Sequence, residues 1–186
     1  EYAPLCIGSH YAVRTKALKQ IGGLGPELAE DHSTTLMFNA FGWKGVHAID
    51  AIASGEGPPS LRACILQEFQ WSRSLTILLI TLLPKYWKSL TLNARIQFLF
   101  SELWYPIFAV TMLIGYLLPI IAVVQGQAWV SVSYFNFLSY SIPLVISIFG
   151  IMHFLKIKGL LRPHDSPIFS VEAAVFQIIR WPWALY

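Results

Sequence analysis

The chain has 186 residues, of which 55% are hydrophobic and only 12% charged, and its mean hydropathy is +0.56. An ordinary soluble domain carries about 25% charged residues, so this composition excludes a purely soluble globule. The net charge of +3 is small and the basic residues are scattered rather than gathered into a run, so nucleic acid is not expected as a partner.

Residues 5–13 (LCIGSHYAV) are apolar and β-rich around Gly8-Ser9, which predicts a buried strand interrupted by a close backbone approach. Residues 15–21 have helical spacing and stop at Gly22-Gly23, a C-terminal signal. Beyond Gly25-Pro26, the pair Glu30-Asp31 opens a segment with apolar side chains at Leu36, Met37, Ala40 and Phe41, the stripe of an amphipathic helix, closed by Gly42. Both carboxylates then sit at a helix N-terminus, where the dipole favours the ionised form that a base requires. A further strand is expected over residues 45–52. The loop Gly55-Glu56-Gly57-Pro58-Pro59 leads from it into a helix over about 60–74. On that helix Gln67, Gln70, Trp71 and Ser74 lie three or four residues apart and share a face. Amide groups beside a large ring suit a sugar, whose hydroxyls take directional hydrogen bonds and whose C–H face lies on an aromatic plate.

The run 75–83 ends at Pro84 and is too short to span a bilayer, so an interfacial or buried helix is expected there. Residues 98–124 carry one charge, Glu102, expected to face water or a polar gap at the membrane edge. Residues 129–155 contain no Asp, Glu, Lys or Arg. Each run exceeds the roughly 20 residues that a crossing requires. Only residues 125–128 separate them, which predicts a tight reversal. Lys85, Lys88 and Arg95 precede the pair, Lys156, Lys158 and Arg162 follow it, and none lies in the turn. By the positive-inside preference the outer ends face the cytosol and the turn lies on the far side, with Trp104, Tyr105 and Trp129 as belt aromatics. Residues 169–186 read as an interfacial helix or the start of a third span. The chain opens on Glu1 and stops inside an aromatic stretch, so it reads as an internal segment of a longer protein. Cys6 and Cys64 are far apart and lack a CxxC partner, so small buried hydrophobes are expected, not a zinc site or a disulfide framework. His10, His32 and His47 show no metal-binding spacing. They read as structural, with His32 placed to tune Asp31 or to touch an acceptor.

The ordered set Cys6-Ile7-Gly8-Ser9, Val13-Arg14, Gly22-Gly23, Ala29-Glu30-Asp31, Gly42-Trp43-Lys44, Gly55-Glu56 and Gln67…Trp71 resembles the C-terminal half of the catalytic domain of membrane-integrated family 2 glycosyltransferases, the group of cellulose, chitin and hyaluronan synthases. The resemblance implies an α/β fold, the C-terminal half of a GT-A type, Rossmann-like domain, followed by an α-helical transmembrane region. Its segments would be 1–74 (acceptor side of the catalytic domain), 75–97 (interfacial helix and linker), 98–155 (membrane hairpin) and 156–186 (cytosolic loop and a further membrane-associated helix). It implies inverting, processive transfer from a nucleotide-sugar donor to a growing β-linked glycan at the cytosolic face of a bilayer. Asp31, matching the aspartate of Thr-Glu-Asp, inherits the role of general base, with Glu30 in support. Trp71 inherits the acceptor platform of the QxxRW motif, Gln67 its polar contacts, and Gly8 and Ser9 the acceptor path. The Arg of that motif is Gln70 here, a neutral amide that cannot neutralise a pyrophosphate, and Arg73 one turn on is the expected substitute. The resemblance also implies a divalent cation, Mg or Mn, bound mainly by the half of the domain outside these residues. Two alternatives stand beside this reading: single transfer to a lipid-linked acceptor, and a non-catalytic membrane protein that binds or transports glycan.

Overall fold

A computed structural model describes residues 6, 8–48, 50–161 and 165–184. Leu5, Ile7, Ile49, Arg162 and residues 185–186, on which parts of the expected strands, basic flank and closing segment fall, lie outside the described residues. The elements in chain order are α1 (Thr15–Ile21), α2 (Glu30–Ala40), α3 (Leu61–Ile80), α4 (Leu82–Tyr86), a 3-10 turn at Trp87–Ser89, α5 (Leu92–Gln125), α6 (Tyr134–Ile157), α7 (Val171–Ile179) and a 3-10 turn at Trp181–Ala184. They form two compact units, Glu1–Leu113 with Arg180–Tyr186, and Ile114–Ile179.

Among the described residues there is no strand, which overturns the expected α/β, Rossmann-like architecture: helices and irregular segments build this region. A strand exists only in a ladder, and neither β-rich segment finds one. The Cys6 amide donates to the Thr35 hydroxyl on α2 (2.8 Å) instead of to a neighbouring strand. Residues 44–48 are exposed, with Val46 left 75% accessible.

The first unit is organised around α2. Met37 and Phe38 pack on Ala17 and Ile21 of α1, while Leu36 joins Leu83 of α4, Leu90 just before α5, and Ala94 and Phe98 of α5. Ala29, immediately before α2, packs on Leu75 and Leu78 of α3. The helix ends obey their glycines. Gly22 takes φ +86° and caps α1 with the Gly23 amide reaching Leu18 O (3.0 Å), and Gly42 at φ +77° closes α2 as the Trp43 amide reaches Phe38 O (2.9 Å). Ser60 caps α3 by accepting from the Ala63 amide (3.2 Å). That helix then runs without a break through Ser74 to Ile80, so the change from polar to apolar sequence at position 75 is not an element boundary.

Both long apolar runs are helical, and both helices are long and apolar enough to cross a membrane. At about 1.5 Å per residue, α5 with its 34 residues is much longer than a bilayer core of about 30 Å. Its first turns are therefore free to pack in the first unit, where Ala94, Phe98 and Glu102 are buried. In the second unit, the connection after α5 is longer than expected: Gly126 at φ +64° ends the helix, and α6 begins only when Ser133 caps it through the Asn136 amide (3.2 Å). No described side chain of α6 is buried, the pattern of a helix whose apolar surface has lipid as its solvent.

Candidate functional site: a carboxylate at an aromatic cavity

Two adjacent carboxylates open α2, and their surroundings differ. Glu30 is tied into the fold: its Oε2 accepts from the Tyr11 hydroxyl (2.9 Å) and from Thr34 Oγ1 (3.4 Å). Burial first, and then this hydrogen bond to Glu30, push the Tyr11 hydroxyl up to about 12, so it remains a donor at neutral pH. The next hydroxyls along α2 are committed as well. Thr34 Oγ1 accepts from the Gly25 amide (2.8 Å), and Thr35 Oγ1 accepts from the Cys6 amide while donating to Asp31 O (2.6 Å). These buried hydroxyls pin Cys6 and Gly25 to the helix. Gly25 fits because it lacks a side chain, since a Cβ there would lie 2.5 Å from Ser33 Cβ and 3.0 Å from the Thr34 amide.

Asp31 has a different outlook. One oxygen, Oδ1, accepts from the His32 amide (2.9 Å) and so satisfies a first-turn donor. The other oxygen, Oδ2, is close to Gly8, where an added Cβ would lie 3.6 Å away. Asp31 also lines a cavity of about 350 Å³ together with His32, Trp71 of α3, and Phe100, Trp104 and Tyr105 of α5. Trp71 and Trp104 remain 42% and 46% accessible, so their faces are available to a ligand. Trp104 is stacked against Phe108 at 6.3 Å with an interplanar angle of 9°, which holds its ring. A carboxylate, an imidazole and several aromatic faces around one cavity can grip a sugar by its C–H face and act on its hydroxyls.

The structure thus brings Asp31 and Trp71 to one cavity, with Gly8 beside Asp31 but outside the lining. Ser9 is exposed and engaged with His10 Nδ1 (2.8 Å), whose Nε2 reaches Ala51 O (3.2 Å). Gln67 is half-buried, Gln70 and Arg73 are exposed, and none of these three lines the cavity. Trp43 packs beside Met37 and Phe38 and donates from Nε1 to Gln20 (3.0 Å). Cys6 and Cys64 are half-buried free thiols, and burial raises the Cys6 thiol. Among the described residues no group of three or more His, Cys, Asp and Glu could hold a metal ion.

Sequence reasoning missed a buried polar cluster that braces the cavity. Glu68 Oε2 lies 2.7 Å from Arg180 Nη1 and accepts from the Tyr105 hydroxyl (2.9 Å), with the pair's side chains only 12% and 10% accessible. Arg180 also lies over the rings of Tyr105 and Phe108, 5.7 and 5.4 Å from their centroids. Glu68 stands inside the Gln67…Trp71 motif, and that position was the available signal. Glu102 is fully buried, and among the described residues neither carboxylate oxygen has a hydrogen-bond partner, so it does not face the expected water.

Comparison with curated proteins finds similarity to bacterial cellulose synthases. The chain is 27% identical over 173 residues to cellulose synthase 2 of Novacetimonas hansenii, covering 92% of this chain and 11% of that protein. It is 26% identical over 172 residues to cellulose synthase 1 of Komagataeibacter xylinus, with the same coverage of 92% and 11%. The chain therefore spans about a tenth of the length of these relatives. No family model matches it, and no solved structure does. The similarity supports a relationship to cellulose-synthase-like glycosyltransferases.

Proposed function

We propose that this chain is the acceptor-side and membrane segment of a glycosyltransferase that extends a β-glucan from a nucleotide-activated glucose at the cytosolic face of a membrane. The observation that carries this reading is the cavity that joins Asp31 to Trp71, Trp104 and Tyr105. Its chemistry is acceptor activation. Asp31 takes the proton from an acceptor hydroxyl as the oxygen bonds to the anomeric carbon of the donor; the bond from that carbon to the nucleotide diphosphate breaks with inversion, and the diphosphate leaves with the electron pair. The aromatic faces hold the terminal sugar with its hydroxyl toward the carboxylate, which supplies orientation without charge.

Glu30 supports the base indirectly by holding Tyr11 against α2. Gly8 keeps the approach to Oδ2 open. Trp71 continues its inherited platform role, now shared with Trp104. The likeness to cellulose synthases over 92% of the chain supports the glucan and the nucleotide-sugar donor, and the two long apolar helices support membrane attachment. Ser9, Gln67, Gln70 and Arg73 belong, in this reading, to the donor and the chain path beyond the cavity. A divalent cation, Mg or Mn, would have its ligands outside the described residues.

The test is product analysis. Membranes carrying the full-length protein, supplied with labelled nucleotide-activated glucose, should yield a polymer that a β-1,4-glucanase digests and that is already long at early times. A single labelled sugar on a lipid, or no transfer, would overturn the reading.

A further inference from the structure

At the head of α2, His32 has a ring nitrogen whose bonding is incomplete among the described residues. Around it Glu30, Ser33, Thr34 and Thr35 all have their side chains engaged, and the carboxylate of Asp31 accepts from the His32 amide. The Nδ1 atom of His32 is buried and, among the described residues, has no hydrogen-bond partner. A buried nitrogen left unpaired is costly, so such an atom calls for a partner that arrives from elsewhere. His32 lines the same cavity as Asp31 and Trp71. Burial lowers its pKa from the ordinary value, outweighing the opposing pull of Asp31, so it stays neutral and forms no ion pair that would occupy the base. A neutral imidazole offers one donor and one acceptor, the complement of a hydroxyl, which is both.

His32 and Asp31 are consecutive on one helix and open on one cavity, and neighbouring hydroxyls of a sugar ring are consecutive in the same sense. We propose that His32 is a specificity-determining residue that hydrogen-bonds, through Nδ1, the hydroxyl next to the one Asp31 deprotonates on the acceptor's terminal sugar. This inference rests on the reading of the cavity as an acceptor site. A site built to pair a hydroxyl rejects the analogue that lacks it, because its own polar atom is then left unpaired.

The test uses the full-length enzyme in membranes and a series of short glucan acceptors, each lacking one hydroxyl of the terminal sugar. With the wild type, one deoxy acceptor besides that missing the reacting hydroxyl should lose about tenfold in kcat/KM, the worth of one hydrogen bond. In His32→Phe that penalty should vanish, because the parent acceptor falls to the level of the deoxy one. In His32→Asn, whose amide reaches the place of Nδ1, the penalty should return. A purely structural role would lower every acceptor alike, and this result, or an unchanged penalty in His32→Phe, would overturn the assignment while leaving the glycosyltransferase reading intact. Absence of transfer by the wild type would overturn both.

Discussion

Replacing Glu68 by alanine removes the only carboxylate that contacts Arg180 among the described residues, and the guanidinium stays where it is only 10% accessible. Breaking a buried ion pair from one side costs about 3–5 kcal/mol, because the remaining charge is left unpaired. The Tyr105 hydroxyl loses its acceptor as well, which places Glu68→Ala toward the upper part of that range. For a chain of this size each kcal/mol lowers Tm by roughly 2–4 °C, so a fall of about 8–20 °C is expected. Glu68→Gln keeps an acceptor for Tyr105 and should cost about half as much. Because Tyr105 lines the cavity and Glu68 lies one turn before Trp71, transfer should fall along with stability. The assay is thermal unfolding of the detergent-purified protein for the two Glu68 variants, for Arg180→Met and for the double variant Glu68→Ala/Arg180→Met. The double variant should be markedly more stable than the sum of the single losses predicts. A Glu68→Ala protein within a degree or two of wild type, or strict additivity, would refute the argument.

Gly25→Ala should destabilise by about 1–3 kcal/mol, since the new methyl must displace Ser33 and the Thr34 backbone in the first turns of α2, and denaturant unfolding would measure it. Trp71→Ala should raise the KM for a short glucan acceptor about tenfold, with a smaller change for Trp71→Phe, as expected for roughly 0.5–1.5 kcal/mol of aromatic contact. Equal effects of the two changes would argue against a stacked sugar. The pH dependence has a defined sign at His32, which Asp31 faces from its own helix. Its folded pKa lies below the ordinary value of about 6.5, so below that pH the unfolded chain binds the extra proton and stability falls as the pH drops. His32→Phe should flatten that part of a stability profile between pH 7 and 5.

The ends of α1 and α2 were legible because the physics there is local. Gly22 and Gly42 adopt positive φ, which few other residues accept, and the helices stop at them. The two apolar runs were legible through length and composition alone, although the connection between them was not, since the cap at Ser133 depends on one side-chain hydrogen bond. The β-rich segments misled because strand propensity becomes a strand only with a partner, whereas the Cys6 amide bonds to a threonine side chain 29 positions away. Trp104 and Tyr105 carried the composition of a membrane belt, yet they line the cavity with Asp31, which only the packing of α3 on the start of α5 reveals. The pairing of Glu68 with Arg180 spans 112 positions, and no local pattern encodes it.

The central claim is that Asp31, and not its neighbour, removes the acceptor proton. Its most direct test is the rate of sugar transfer by full-length Asp31→Asn and Glu30→Gln enzymes in membranes, at matched expression and saturating donor. The account predicts a loss of about 10²–10⁴-fold for Asp31→Asn, the usual contribution of a positioned base, and a far smaller loss for Glu30→Gln, whose amide oxygen still accepts from Tyr11. An Asp31→Asn enzyme within tenfold of wild type, or a Glu30→Gln enzyme that loses the greater share, would contradict it.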